Sequence, residues 1–308
     1  MVQVGAVVPL AVSVQLAHAA VQVLAADQGL DVLHIKGPAV DPRLLPTRDV
    51  VDPLTQAIAP EPVRRSSVDA DVLVRPGHVR RLVSLMERHG WTLKVPFEAG
   101  SSFEHAATFE HTYLGHLDLH RTFPGIRLSA ETAFELLWRD RHEAEIGGIA
   151  CPVPSIAAQR LLLIIHAARG VVSGSRDIQN AWDAASVAEQ AEVAALARDL
   201  GAEVALAAGT GRLEEYRGSP EYPLWRDLST GESSLARLWW DRVRAAPNLA
   251  AGLRIGAKLL LPRVGRLRVE LGRDPTPTEL LHFFGRHVRA LGHAALAPLS
   301  RLLRGARR

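Results

Sequence analysis

The sequence predicts an α+β protein in two regions, strands gathered in residues 1–125 and helices filling residues 126–308. Three observations predict it. Short β-type runs occur at Asp31–Ile35, Arg65–Val74, Trp91–Phe97 and Ala106–His120; the pattern turns helical beyond Pro124; and 308 residues are enough for two cores of ordinary size. Hydrophobic residues at 47% and charged residues at 22% exclude a disordered or collagen-like chain. The single cysteine, Cys151, excludes an intramolecular disulfide and a cysteine-based zinc site, which suits a reducing compartment and a cytoplasmic location.

The elements follow in order. The first 26 residues carry no charge. No basic segment opens them, and Gln15, His18 and Gln22 interrupt the apolar run, so Leu10–Ala26 reads as a largely buried helix and neither a signal peptide nor a transmembrane segment. Asp31–Ile35 is a short strand ended by Lys36-Gly37-Pro38. Gly37 allows a tight turn or the close approach of a ligand, and Pro38 suits the first position of a helix. Free backbone N–H groups beside a lysine attract phosphate, although a plain strand-to-helix turn uses the same residues. Five prolines between Pro42 and Pro62 make 41–64 mostly loop. After the Arg65–Val74 strand, His78–His89 has helical spacing and stops at Gly90. Trp91–Phe97 returns as a strand, and Ala106–His120 is two strands with a bend at Leu114-Gly115.

Beyond Pro124, Ser129 caps a helix to Arg139, Gly147-Gly148 marks a turn, and Ser155 caps Ile156–Arg169, whose Leu-Leu-Leu-Ile-Ile run predicts burial on nearly all sides. Further helices are predicted at Asp177–Asp183, Ser186–Leu200 and Leu235–Ala245. Thr276-Pro277-Thr278-Glu279 is a capping box opening Leu280–Leu291, and Arg301–Arg308 frays.

The chemistry concentrates in Arg65–Val74, RSSVDADVLV. In a strand Asp69 and Asp71 share a face, their Cα atoms about 7 Å apart, and two carboxylates so placed hold a divalent ion. A solvated edge strand is the plainer alternative. In the downstream run His-Leu-Asp-Leu-His, residues His116, Asp118 and His120 share a face, so Asp118 is a candidate third carboxylate from a neighbouring strand. His166, inside the apolar helix, reads first as a hydrogen-bonded core histidine and second as an accessory to the site.

Charge is uneven. Basic residues are 33 Arg and 3 Lys, a bias that points to genome composition rather than nucleic-acid binding. From Arg254 to Arg308 there are 12 Lys plus Arg against 3 acidic residues, a net +9, which leaves −6 on the rest to give the total of +3. This basic C-terminal region suits an acidic partner, RNA or an anionic surface, or else is a solvated helix face.

The order of features, a strand ending in Lys36-Gly37, the R-x-x-x-D-x-D strand from Arg65, a helix ending in Gly-aromatic, an h-D-h-H strand at Leu117–His120 and a buried IIHAAR helix, resembles the DNA polymerase beta-like nucleotidyltransferase superfamily. Within it the chain is most similar to the uncharacterised bacterial nucleotidyltransferases, over about Leu33–Asp177. The resemblance implies a mixed sheet flanked by helices, and a Mg²⁺-dependent enzyme moving a nucleoside monophosphate from a nucleoside triphosphate to an acceptor. It also implies that Asp69, Asp71 and Asp118 are catalytic ligands of two Mg²⁺ ions, while Lys36, Gly37 and Arg65 bind the nucleotide. Better characterised members carry Gly-Ser where this chain has Lys36-Gly37-Pro38. The acceptor, whether small molecule, peptide, protein or RNA, is not written in any motif. Two rivals stay open: a catalytically inactive binding or antitoxin-like protein of the same fold, and a hydrolase holding zinc or iron on His116, Asp118 and His120, with His105 or His111 nearby.

Overall fold

The computed structural model describes residues 8–51, 58–63, 67–100, 103–170, 175–231, 235–246, 248–260, 264, 267, 271, 273–286 and 288–289. The elements run α1 (Leu10–Asp27), β1 (Val32–Ile35), β2 (Thr47–Val51), β3 (Ile58–Pro62), β4 (Asp69–Val74), α2 (Val79–Arg88), β5 (Trp91–Val95), α3 (Phe97–Gly100), β6 (Ala106–His111) and β7 (Gly115–His120). They continue with α4 (Ala130–Arg139), β8 (His142–Ile146), β9 (Ile149–Val153), α5 (Ile156–Ala167), α6 (Ser175–Ile178), α7 (Val187–Asp199), α8 (Glu203–Gly209), α9 (Tyr222–Thr230), α10 (Leu235–Arg244) and α11 (Leu249–Leu260).

The main sheet has the order β1-β4-β7-β6-β5. Only β4 and β7 pair in parallel; β1–β4, β7–β6 and β6–β5 are antiparallel, so the sheet is mixed, as the family pattern implies. Alternation of side chains gives each face its own partner. On one face Val72, Val74, Phe109, Leu117 and Leu119 form a core with Val14, Ala17 and Val21 of α1 and Leu82 and Met86 of α2. On the other, Leu33, Ile35 and Leu73 join Phe134 and Leu137 of α4 and Leu161–Ile165 of α5, continuous with α7 and α8. Helix α5 is therefore the packing centre of the helical half, which explains its uninterrupted apolar run: Leu161, Leu162, Leu163, Ile164 and Ile165 are each at most 4% exposed. Helix α1 is long and apolar enough to cross a membrane by length and composition, but its buried residues, among them Val14, Ala17, His18, Val21 and Ala25, lie against the sheet.

Several expectations need correction. The strand carrying the aspartates begins at Asp69, with a bend at Val68, rather than at Arg65; residues 64–66 lie outside the described residues. Within the proline-rich segment β2 and β3 pair antiparallel, and Pro60 and Pro62 are accommodated because a two-stranded sheet is all edge, where a missing ladder donor can face outward. Among the described residues beyond Pro124 the helical pattern is interrupted by the β8–β9 hairpin, closed by Gly147 and Gly148 at φ +61° and +80°, the left-handed pair that a two-residue turn demands. The predicted helix at Asp177–Asp183 is a short α6 followed by a π-helical turn, Gln179–Asp183. Helices α8, α9 and α11 were absent from the sequence reading. The capping box at Thr276 is present, with Thr276 Oγ1 accepting from Glu279 N and the Glu279 carboxylate accepting from Thr276 N.

One buried acid gives the fold a pH dependence. Glu221, just before α9, is 6% exposed, and burial pushes its carboxyl up to about 7 despite Arg127 at 2.9 Å. Between about pH 4.5 and 7 the native state thus holds a proton that the unfolded chain releases. Stability is greatest below that window and falls as pH rises through it, by order 2–3 kcal/mol in all. Glu221→Gln is expected to flatten this slope and to raise the melting temperature above pH 7; parallel melting curves against pH check it.

Candidate active site

Parallel pairing of β4 and β7 sets Asp71 directly opposite Asp118, and Asp69 opposite His116. Two carboxylates from separate segments thereby reach the same face of the sheet, beneath the end of α5. Carboxylate oxygens of Asp71 and Asp118 and a ring nitrogen of His120 all lie within 4.8 Å of one another. Asp69, two residues before Asp71, shares its face and feels both neighbours: burial, then the charges of Asp71 and of Asp118, push its carboxyl above the usual range.

Asp71 is 4% exposed. Its Oδ1 accepts from Lys36 Nζ at 2.7 Å and from His120 Nε2 at 2.7 Å. Burial alone would raise this carboxyl, but the Lys36 ammonium and the His120 hydrogen bond outweigh it and hold it well below the ordinary carboxylate range. His120 is fully enclosed and burial lowers its basicity, so it is a neutral ring with the proton on Nε2, given to Asp71. Asp118 Oδ1 accepts from Thr108 Oγ1 across the β6–β7 ladder at 2.6 Å, which fixes one oxygen and leaves the other to the site.

The Lys36-Gly37 turn is held in unusual backbone. Lys36 has φ +58° and ψ −173°, a region occupied almost solely by glycine, and Gly37 has φ +46°. A Cβ at Gly37 would sit 3.1 Å from Ser67 Cβ. The strain at Lys36, of order 1–3 kcal/mol, is offset by its buried ion pair with Asp71 and places the ammonium on the carboxylate. Lys36, expected at the phosphates, thus stands first against Asp71. Ser67 Oγ, beside Gly37, donates to Asp69 O at 2.7 Å, so a serine hydroxyl reaches the glycine turn from a different segment.

Helix α5 contributes what the sequence reading did not assign. Arg169, just past its end, donates to His166 Nδ1 at 3.0 Å and lies over the Phe123 ring, its Cζ 5.5 Å from the centroid. Phe123 in turn stacks on His120. The Arg169 Nε is buried and has no hydrogen-bond partner among the described residues. Burial draws its guanidinium down to about 10 against the attraction of Asp71. His105, packed against His120, is pushed down to about 2 by burial first and then by His120, Arg169 and Lys36. His166 lies beside the site and accepts from Arg169 on Nδ1. The signal for Arg169 was present, as a charged residue just beyond the Leu161–Ile165 run, three residues after a histidine.

The donor set fits an oxygen-preferring divalent cation. Lys36 pairs directly with Asp71 and only partly offsets what raises Asp69, namely burial and then the charges of Asp71 and Asp118, while His120 spends its Nε2–H on Asp71. The His-x-Asp-x-His centre does not assemble: His116 is exposed and stands outside the Asp71, Asp118 and His120 group found among the described residues. Arg65 and most of the basic C-terminal region lie outside the described residues.

Comparison with solved structures finds the lincomycin-bound lincosamide antibiotic adenylyltransferase LnuA, 18% identical over 54% of this chain and 94% of that one, TM-score 0.35. It also finds the antibiotic-resistance factor ANT(2'')-Ia, 15% identical over 67% and 93%, TM-score 0.34. Likenesses this loose bear on neither mechanism nor substrate. No curated protein matches the chain. The model of the uncharacterised nucleotidyltransferase family matches residues 53–218, more than half of the chain and the whole of the β4–β7 carboxylate pair together with α5. The protein is a member of that nucleotidyltransferase family.

Proposed function

We propose that the protein is a Mg²⁺-dependent nucleotidyltransferase that moves a nucleoside monophosphate from a nucleoside triphosphate to an acceptor hydroxyl. The observation that carries this reading is the register pairing of Asp71 with Asp118, with Asp69 on the same face. Asp69 and Asp71 would hold the metal shared with the nucleotide, and Asp118 would help hold a second. Bound there, the ions would neutralise the phosphates and lower the pKa of the acceptor hydroxyl. Asp118, one oxygen fixed by Thr108, takes the acceptor's proton on the other. Lys36 and His120 keep Asp71 ionised and oriented, and the Gly37 turn, its missing side chain leaving room for Ser67, would face the nucleotide. Residues 1–125 would supply this catalytic core, and the helical region after it would supply acceptor recognition.

Arg169 is the guanidinium for the triphosphate. Its buried, unpartnered Nε and its place beside the carboxylates suit a planar, bidentate phosphate contact. Arg169→Ala is expected to raise the KM for the nucleoside triphosphate about tenfold or more, by roughly the 1.5–3 kcal/mol of a charged hydrogen bond, and Arg169→Lys to recover only part. Steady-state kinetics on both variants test this; an unchanged nucleotide KM would remove Arg169 from the phosphate site.

Lys36→Met is expected to weaken turnover while leaving the fold intact, because Asp71 loses the ammonium that keeps it ionised. The defect should be worst at low pH, where Asp71 protonates first, and a pH–rate profile reads it. The overall reading is tested by incubating the protein with each α-labelled nucleoside triphosphate, Mg²⁺ and candidate acceptors. Label transfer that survives Asp118→Asn would overturn the assignment of the base.

A further inference from the structure

A cavity of about 510 Å³ opens beside the Lys36-Gly37 turn, with Gly37 and Ser67 in its wall; Ser67 in turn bonds to the backbone of Asp69. Its floor is apolar, built from Val14 of α1, Val40 and Leu45, and it falls within the size range of small-molecule sites. Its charge is one-sided. Asp41, Glu143 and Glu145 line it and no lysine or arginine does. Arg43 neutralises Asp41 at 3.0 Å, whereas no ion pair among the described residues neutralises Glu143 or Glu145, both exposed.

Four consecutive residues of β8, His142 to Glu145, line the cavity, although side chains of a strand alternate faces. The cavity therefore meets the strand edge-on. In a two-residue hairpin the residues flanking the turn exchange hydrogen bonds, so Ile146, Ala144 and His142 pair with β9 while Glu143 and Glu145 turn their N–H and C=O groups outward. Pro152, which has no N–H, faces Glu143 in the ladder, as that register requires. The wall presents both glutamate carboxylates and unpaired carbonyls, all acceptors for an ammonium group.

The two regions differ in the groups they offer. Lys36 and Arg169 stand among the three aspartates beneath α5 and offer cationic donors to a phosphate, whereas the glutamate wall beyond Gly37 and Ser67 offers acceptors and no lysine or arginine. A triphosphate finds no such cation at the wall, and an ammonium group finds acceptors there. We propose that the cavity is the acceptor subsite and that the acceptor is a cationic, hydroxyl-bearing small molecule, its amine on Glu143 and Glu145. This rests on the nucleotidyl-transfer reading. In the transfer, the acceptor oxygen bonds to the α-phosphorus, the bond to the β-phosphate bridging oxygen breaks, pyrophosphate leaves with that electron pair, and the hydroxyl proton passes to Asp118.

Calorimetry with spermidine, a flexible apolar trication, tests the cation subsite without any turnover, using the wild type and a Glu143→Gln/Glu145→Gln variant. Both glutamates are exposed, so the amide pair preserves the fold. Binding that weakens at least tenfold in the variant, and that Mg²⁺–nucleoside triphosphate does not displace, is the expected result. No binding, binding indifferent to the substitutions, or displacement by the nucleotide, which would assign the cavity to the base or ribose, overturns the proposal. Label transfer to a glucosamine trimer in preference to its fully N-acetylated form extends the result to catalysis. Spermidine binding as expected together with no transfer to any acceptor would sink the nucleotidyl-transfer reading while the cation site stood.

Discussion

Replacing Asp71 with Asn is expected to reduce nucleotidyl transfer by on the order of 10³-fold or more, with kcat carrying the loss. The reason lies in how many roles converge on one carboxylate. Asp71 is the most enclosed of the three acids, accepts from both Lys36 and His120, and stands opposite Asp118 in the β4–β7 ladder. The amide keeps the volume but removes the charge. It cannot hold the Lys36 ammonium as an ion pair, and it leaves a lysine whose side chain is 12% exposed without its counter-charge. A single-turnover assay with α-labelled nucleotide separates this from Asp118→Asn, in which Lys36 and His120 keep their partner. Equal residual activity in Asp71→Asn and wild type would end the role proposed for the centre.

The largest effect on stability is expected at Gly125, which joins the sheet to the helical half. Its φ of +110° is closed to residues with a side chain, and a Cβ there would lie 2.6 Å from Ile165 Cγ2, 3.0 Å from Trp225 and 3.1 Å from Ala205. These neighbours come from α5, α9 and α8, all packed into the shared core, so none gives way alone. Backbone strain of about 1–3 kcal/mol and overpacking of about 1–3 kcal/mol act together in Gly125→Ala, an expected loss of about 3–5 kcal/mol. Denaturant unfolding measures it. The substitution also displaces Phe123, two residues earlier, on which both His120 and Arg169 rest. A surviving folded fraction should therefore show a raised nucleotide KM.

Legibility in the sequence followed the range of the interaction. Helix α5 announced itself by Ser155 and five consecutive apolar residues, and β7 by strict alternation around Asp118, because those signals are local. The β8–β9 hairpin was also legible: Gly147-Gly148 between Ile146 and Ile149 is a hairpin signal, but the surrounding helical pattern obscured it. Arg169, Thr108 and Ser67 were not assigned, since each matters only through a partner 10 to almost 100 residues away, or, for Ser67, through a turn that a different strand supplies.

From the amino-acid order alone came the α+β division, the two acidic strands and their membership in a nucleotidyltransferase pattern. These depend on periodicity and on spacing within a few residues, which a linear chain displays. Tertiary structure decided that β4 and β7 lie parallel and in the register that faces Asp71 with Asp118, and that Lys36 pairs with the Asp71 carboxylate. It also decided that an arginine from the helical half completes the cationic side and that a hairpin edge walls the cavity with glutamates. Register and long-range charge pairing arise from packing between segments far apart in sequence, and no local pattern encodes them.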